Sequence, residues 1–167
     1  MSHVRVSTTL DAPATWVAQQ LQSTAVFRHI TAPLLRFTPV DSAWPTHWAP
    51  GDTLVLRMAL FGLLPLGRQT VRIRVEASAE PGGWPVLRDA GDGQLLRRWD
   101  HRITLTPLPG GRTLYTDSID IEARRLPRLL TPFSAAFARW FYTHRQRRWR
   151  ALALCHASVP PSAPPRP

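Results

Sequence analysis

The stretch LPRLLTPFSAAFARWFYTHRQRRWRALALCHA, Leu126 to Ala157, reads as one long amphipathic helix. Leu126, Leu129, Leu130, Phe133, Phe137, Trp140, Phe141, His144 and Leu152 recur at spacings of three and four, which lays them along one helical face. At 1.5 Å per residue the helix is about 45 Å long, enough to cross a whole small domain. Everything before it, from Val4 to Ala123, is dominated by strand patterns. A helix of this length can cover the concave side of a curved sheet, and that arrangement can enclose a cavity.

Working back along the chain, Val4, Val6, Thr8 and Leu10 alternate with His3, Arg5, Ser7 and Thr9, the period of a strand with one buried face. Asp11, followed by Ala12 and Pro13, is placed to cap a helix running to about Gln22. A second short helix is expected from Thr24 to His29, stopped by Pro33. Six strands follow, at Leu34–Val40, Thr53–Phe61, Gln69–Ala77, Pro85–Ala90, Leu95–Leu108 and Arg112–Ala123, with short connections that favour an antiparallel meander. The order is strand, two helices, six strands, long helix: an α+β domain over residues 1–157. The Pro-rich SVPPSAPPRP, residues 158–167, is expected to be a disordered tail.

The last hairpin fixes a register. Pro109, Gly110 and Gly111 form a three-residue loop that pairs Leu108 with Arg112. Leu95, Trp99, His101, Ile103 and Leu105 then share a face with Tyr115, Ile119 and Ile121, while Arg98 stands across from Glu122 on the opposite, charged face. The apolar face also carries Arg97 and Asp117, with Asp117 opposite Ile103 and diagonal to His101.

The 167 residues, 44% of them hydrophobic, suffice for one well-buried domain. The net charge of +10 raises the question of nucleic acid. Every Lys or Arg position is Arg, however, and Lys and Asn are both absent, a usage expected of a GC-rich genome; no specific nucleic-acid partner is expected. The dense cluster Arg145, Arg147, Arg148 and Arg150 falls in the last turns of the long helix, where a solvated cationic face complements the carbonyl end of the helix dipole. The start MSHVRVSTTLDAP lacks the pattern of a signal peptide, no apolar run approaches twenty residues, and Cys155 stands alone; the expectation is a cytoplasmic protein. Six dispersed histidines and one cysteine give no metal-ligand spacing, and neither a P-loop nor a dinucleotide fingerprint is present, so no metal or other cofactor is expected.

With that order of elements, the opening VRVSTTLDAPATWVAQQL (4–21), RMALFGLLPLG (57–67), WDHRITLTPL (99–108) and FARWFYTHRQRRWRAL (137–152), the chain resembles the START-like, or SRPBCC, superfamily, which includes Bet v 1-like proteins and polyketide cyclases. The resemblance implies a helix grip: a curved seven-stranded antiparallel sheet wrapped around the C-terminal helix, with two short helices after the first strand. It also implies an internal cavity for a hydrophobic small molecule such as a lipid, sterol, quinone or polyketide. The superfamily has no invariant catalytic motif, so the site must come from this chain's own residues.

On the cavity side Arg97, His101, Tyr115 and Asp117 would orient a ligand's polar end, and Trp99, Phe133, Phe137, Trp140, Phe141 and His144 would contact its body. Leu56, Met58, Leu60, Val71, Ile73 and Val75 are expected on the far wall. A carboxylate beside a histidine fixes its tautomer and raises its basicity, so His101 and Asp117 are the candidates for acid/base work, with a plain internal hydrogen bond as the alternative. The leading expectation is a non-enzymatic binding module; the competing one is a cyclase-like enzyme using His101 and Asp117. A third is a peripheral membrane or protein-interaction factor using FGLLPLG and the Arg145–Arg150 cluster. There Phe61, Leu63, Leu64 and Leu66 would gate the cavity, touch a membrane or contact a second copy, unless they pack back onto the domain.

Overall fold

Alternating apolar residues in the computed structural model build a seven-stranded sheet, all of whose neighbours run antiparallel, in the order β1-β7-β6-β5-β4-β3-β2. The structure describes residues 1–78, 83–125 and 127–158. The strands are β1 (Ser2–Leu10), β2 (Leu35–Pro39), β3 (Thr53–Leu60), β4 (Leu64–Glu76), β5 (Val86–Gly93), β6 (Leu96–Leu108) and β7 (Arg112–Ala123). Helices α1 (Ala14–Leu21) and α2 (Thr24–Thr31) follow β1, and α3 (Pro127–Ala157) closes the chain. This is the helix grip that the resemblance implied. The expected helix start at Leu126 and most of the Pro-rich tail lie outside the described residues.

Two local expectations are corrected. Helix α1 begins after Pro13, whose position carries no side-chain cap, so Asp11 is not the capping residue. The capped helix is α2, where the Ser23 hydroxyl accepts from the Val26 amide at 3.3 Å. Strand β4 starts at Leu64, five residues before the expected Gln69, because the turn between β3 and β4 is only residues 61–63 long. The Leu63 amide closes it onto the Leu60 carbonyl at 3.0 Å, with Phe61 and Gly62 both at positive φ.

The long hairpin keeps the expected pairing, Leu108 with Arg112, Ile103 with Asp117 and Arg98 with Glu122. A bulge then intervenes: Leu96 pairs with Ala123, and Arg97 is the extra residue. Leu96, not Leu95 or Arg97, therefore turns to the core, while Leu95 is 56% exposed. Val75, expected on the inner wall, is also exposed.

The outer face of the sheet accounts for much of the arginine. Asp100, buried at mid-strand, receives Arg88 through two nitrogens at 2.8 and 2.7 Å, and Arg98 and Arg102 at 3.0 and 3.3 Å. Arg88 also pairs with Glu76, and Arg102 with Asp120. Burial works to raise the Asp100 carboxyl, but the Arg88 hydrogen bond and the surrounding guanidinium groups outweigh it and hold its pKa below the ordinary value.

Helix α3 lies on β1 and β7, and the Thr131 hydroxyl, accepting from the Ala123 amide at 3.1 Å, ties its start to the end of β7. Along the helix the core divides in two. Ala138, Phe141 and Tyr142 pack on Val4, Ile119 and Ile121; Trp149 and Ala153 pack on Leu10, Val17, Ile30, Ile103 and Tyr115. Among the described residues, α3 does not approach β3, β4 or β5 at backbone contact distance. The gap left there is the site.

Candidate functional site: a cavity between the helix and the sheet

A cavity of about 380 Å³ fills that gap. Its sheet wall comes from Leu35 and Phe37 on β2, Met58 and Leu60 on β3, Leu66, Gln69, Val71 and Ile73 on β4, Leu87 and Asp89 on β5, and Trp99, His101 and Ile103 on β6. The helix wall is Phe133, Ser134, Phe137, Phe141, Tyr142, Arg145 and Trp149. Val26, Phe27, Ile30 and Trp48 close one end. Trp48 is held there because its amide donates to the Gln22 carbonyl at 2.7 Å, strapping the loop after β2 to the junction of α1 and α2.

The cavity brings together Met58, Ile73, Trp99, His101, Phe133, Phe137 and Phe141 of the expected ligand contacts. It does not include the other five. Arg97 sits on the outer surface, paired with Glu122, because the bulge turns it outward. Trp140 is 48% exposed beside the edge of Phe137. His144 points to α2, where its Nε2 bonds the Ala32 carbonyl at 2.9 Å. Tyr115 and Asp117 are wholly buried but lie behind the wall. Leu56, also expected there, is fully buried outside the lining.

Behind His101 stands a closed hydrogen-bond set. Asp117 Oδ1 meets His101 Nε2 at 2.8 Å and accepts from the Tyr115 hydroxyl at 3.1 Å; its Oδ2 accepts from Gln146 Nε2 at 3.0 Å. Gln146 also donates to the Val6 carbonyl at 2.7 Å, joining helix, β1 and β7 through one amide. Burial pushes the Asp117 carboxyl up, but His101 and the field of Arg145 outweigh it, so it stays anionic with a pKa below the usual value. An anionic acceptor requires the proton on His101 Nε2, which leaves Nδ1 as the imidazole's free acceptor. Contrary to the sequence expectation, the His101 pKa is lowered: loss of hydration outweighs the carboxylate, and the ring is neutral near pH 7.

Three cavity groups escaped sequence reasoning. Arg145, expected on a solvated face, is only 4% exposed, with its guanidinium carbon 4.9 Å from the centre of the Tyr142 ring. Tyr142 in turn lies 4.6 Å from the His101 ring. Asp89, opposite both His101 and Ile73, accepts from the Arg72 amide at 2.8 Å, filling a break in the β4–β5 ladder. Its carboxyl borders the cavity but is otherwise enclosed by protein, and desolvation pushes its pKa up to about 7. The break is also where glycine is required: a Cβ at Gly91 would lie 2.5 Å from the Thr70 carbonyl oxygen.

Arg147 and Arg150 are exposed at the end of α3, and Arg148 bonds the His29 carbonyl at 3.3 Å. Phe61, Leu63 and Leu64 at the β3–β4 turn are 54%, 87% and 57% exposed and do not pack back onto the domain, whereas Leu66 does, in the cavity wall. Among the described residues no helix is long and apolar enough to cross a membrane.

The fold is shared with an aromatase/cyclase from Streptomyces sp. R1128, at a TM-score of 0.68 and 15% identity over 95% of this chain and 96% of that one. A START superfamily protein from Mycobacterium smegmatis gives a TM-score of 0.60 and 14% identity, covering 92% and 98%. A protein from Chromobacterium violaceum gives 0.60 and 18%, covering 90% and 96%. No curated protein matches the sequence. Residues 8–152 match the family described as Domain of unknown function (DUF8410), and the chain, with its START-like/SRPBCC helix-grip fold, belongs to that family.

Proposed function

We propose that this protein binds a hydrophobic small molecule of the lipid, quinone, sterol-like or polyketide/aromatic type between the sheet and α3. The observation that carries the reading is the cavity itself: about 380 Å³, walled by aliphatic and aromatic side chains, with Asp89, His101 and Arg145 converging on it. That size and that mixture, mostly apolar with a few oriented polar groups, are what small-molecule pockets have in common. Native mass spectrometry of the purified full chain, followed by denaturing extraction, tests it. A stoichiometric apolar molecule is the expected result. A chain that is empty as purified and also fails to take up apolar ligands in solution refutes the reading. His101→Ala should weaken binding in a protein that still unfolds cooperatively, at a lower Tm because Asp117 loses a buried donor.

A second reading is favoured by one specific observation, the cavity-lining His101 held by Asp117, and by the likeness to the Streptomyces aromatase/cyclase. Closing a ring on a polyketide chain requires a base to take a proton from carbon next to a carbonyl and an acid to protonate the oxyanion that forms. Neutral His101, with Nε2–H committed to Asp117, offers Nδ1 for the first step and, once protonated, returns that proton in the second. Because the His101 pKa is lowered, turnover should rise with pH to a plateau whose inflection lies below 6.5. Loss of that profile in Asp117→Asn supports the enzyme; a cyclisation rate equal to the protein-free rate rejects it. A third reading assigns the exposed tip, Phe61, Leu63 and Leu64, to contact with a membrane surface.

A further inference from the structure

Two ionised groups lie wholly inside the protein beside the cavity, and they are treated differently. Asp117 is satisfied by His101, Tyr115 and Gln146. Arg145 has no such carboxylate. Its guanidinium lies over the rings of Tyr142 and Phe141, at 4.9 and 5.9 Å, with the Tyr142 side chain as its hydrogen-bonding neighbour, and its Nε has no partner in the protein. Among the described residues it enters no ion pair, while Asp100 on the other face of the sheet takes three arginines. One helical turn further on, Trp149 lines the same cavity, fully buried, and its Nε1 also has no partner. Residues four apart share a helical face, and Arg145 and Trp149 both line the cavity from α3.

A guanidinium cannot escape its burial by losing a proton, and ring faces compensate only part of the lost hydration. The missing element is an acceptor, best an anion with two oxygens to match the fork of Arg145. We propose that the ligand is an amphipathic acid, with a single carboxylate-type group seated on Arg145 and its apolar body against Met58, Ile73 and Phe137. This rests on the binding reading above and specifies the class of ligand. The Asp89 carboxyl, largely protonated below neutral pH, then adds a hydrogen-bond donor to the site instead of a competing charge.

The test is isothermal titration calorimetry on the full chain at pH 6 with two isosteric pairs, decanoate against decanamide and 2-naphthoate against 2-naphthamide. In at least one pair the acid should bind about 10- to 100-fold more tightly, the range for a charge-assisted hydrogen bond. Arg145→Met should abolish that preference while amide affinity stays within about threefold. Arg147→Gln, which removes the same charge from an exposed site on α3, should leave it intact. Equal affinities for acid and amide in the wild type, or a preference that survives Arg145→Met, overturns the acid assignment while leaving cavity binding standing. If Arg145→Met does not fold, a preference lost in Arg147→Gln overturns the assignment, because overall charge would then explain it. Failure of both acids to bind overturns the acid assignment, and the cavity reading falls with it only where the native mass spectrum also shows an empty chain.

Discussion

Asp89→Asn should make the protein more stable above neutral pH and change little below pH 4. In the fold the Asp89 carboxyl is pushed from 3.8 to about 7, first by desolvation; the Arg72 amide and the charges of Arg72 and Arg145 act against that rise, and Asp100 adds to it. Between those two pH values the folded chain holds a proton that the unfolded chain has released. Stability therefore falls as pH rises through this window, then levels off above the folded pKa. Three units at about 1.4 kcal/mol each give on the order of 4 kcal/mol, and water entering the cavity reduces this to about 2–4 kcal/mol. Asparagine keeps an oxygen to accept from the Arg72 amide, so the ladder patch survives while the charge does not. The opposite slope from His101, whose lowered pKa costs stability as pH falls, is present in both proteins and cancels in the difference. Urea unfolding of both from pH 4 to 8.5 measures that difference directly. By pH 8 it should reach the magnitude above, or about 5–15 °C in Tm for a chain of this size. A stability difference between variant and wild type that does not change with pH would refute the assignment of a proton to Asp89.

Asp117→Asn should destabilise the fold by about 2–4 kcal/mol in denaturant unfolding, because it removes the charge on which three buried donors converge. Arg145→Met should do the reverse and raise Tm, provided ligand is absent; a lowered Tm would show that the guanidinium is a structural part. Phe61→Asp should leave stability within about 0.5 kcal/mol and, if the tip contacts lipid, reduce co-sedimentation with anionic vesicles; unchanged co-sedimentation removes the membrane role.

The element order and the β6–β7 register were legible because they rest on period two and on one three-residue loop. The bulge at Arg97 was not, since one inserted residue reverses the side of everything beyond it. A trace existed: the doublets Leu95-Leu96 and Arg97-Arg98 break the alternation that holds from Trp99 onward. The most apolar residues of helix α3 point to a face through Leu130 and Trp140, both of which are exposed. Its buried face runs instead through Ala138, Phe141, Tyr142, Arg145, Gln146, Trp149 and Ala153, at the same helical spacing. Hydrophobicity misplaces that face because Arg145 and Gln146 score as surface residues. Asp89 was invisible for a related reason: in VLRDAGDG the strand carries glycines for close approach to β4 and a carboxylate that replaces a ladder partner, so it shows no alternation at all.

The contrast between Asp117 and Arg145 bears on what the cavity is for. A buried charge that exists to hold a fold should have its partners within the fold, as Asp117 does through β6, β7 and α3, and as Asp100 does under its arginines. A buried charge kept without a partner lowers stability in the free protein, so its retention is explained by a state in which the partner is present. Tyr142 and Phe141 hold the guanidinium of Arg145 from one side, while Asp117, turned toward three other donors, supplies field without contact. The helix therefore presents a charge that is positioned in advance and has no anionic partner, in a wall that is mostly aromatic. An acid that enters gains an ion pair whose desolvation and ordering costs the fold has already met.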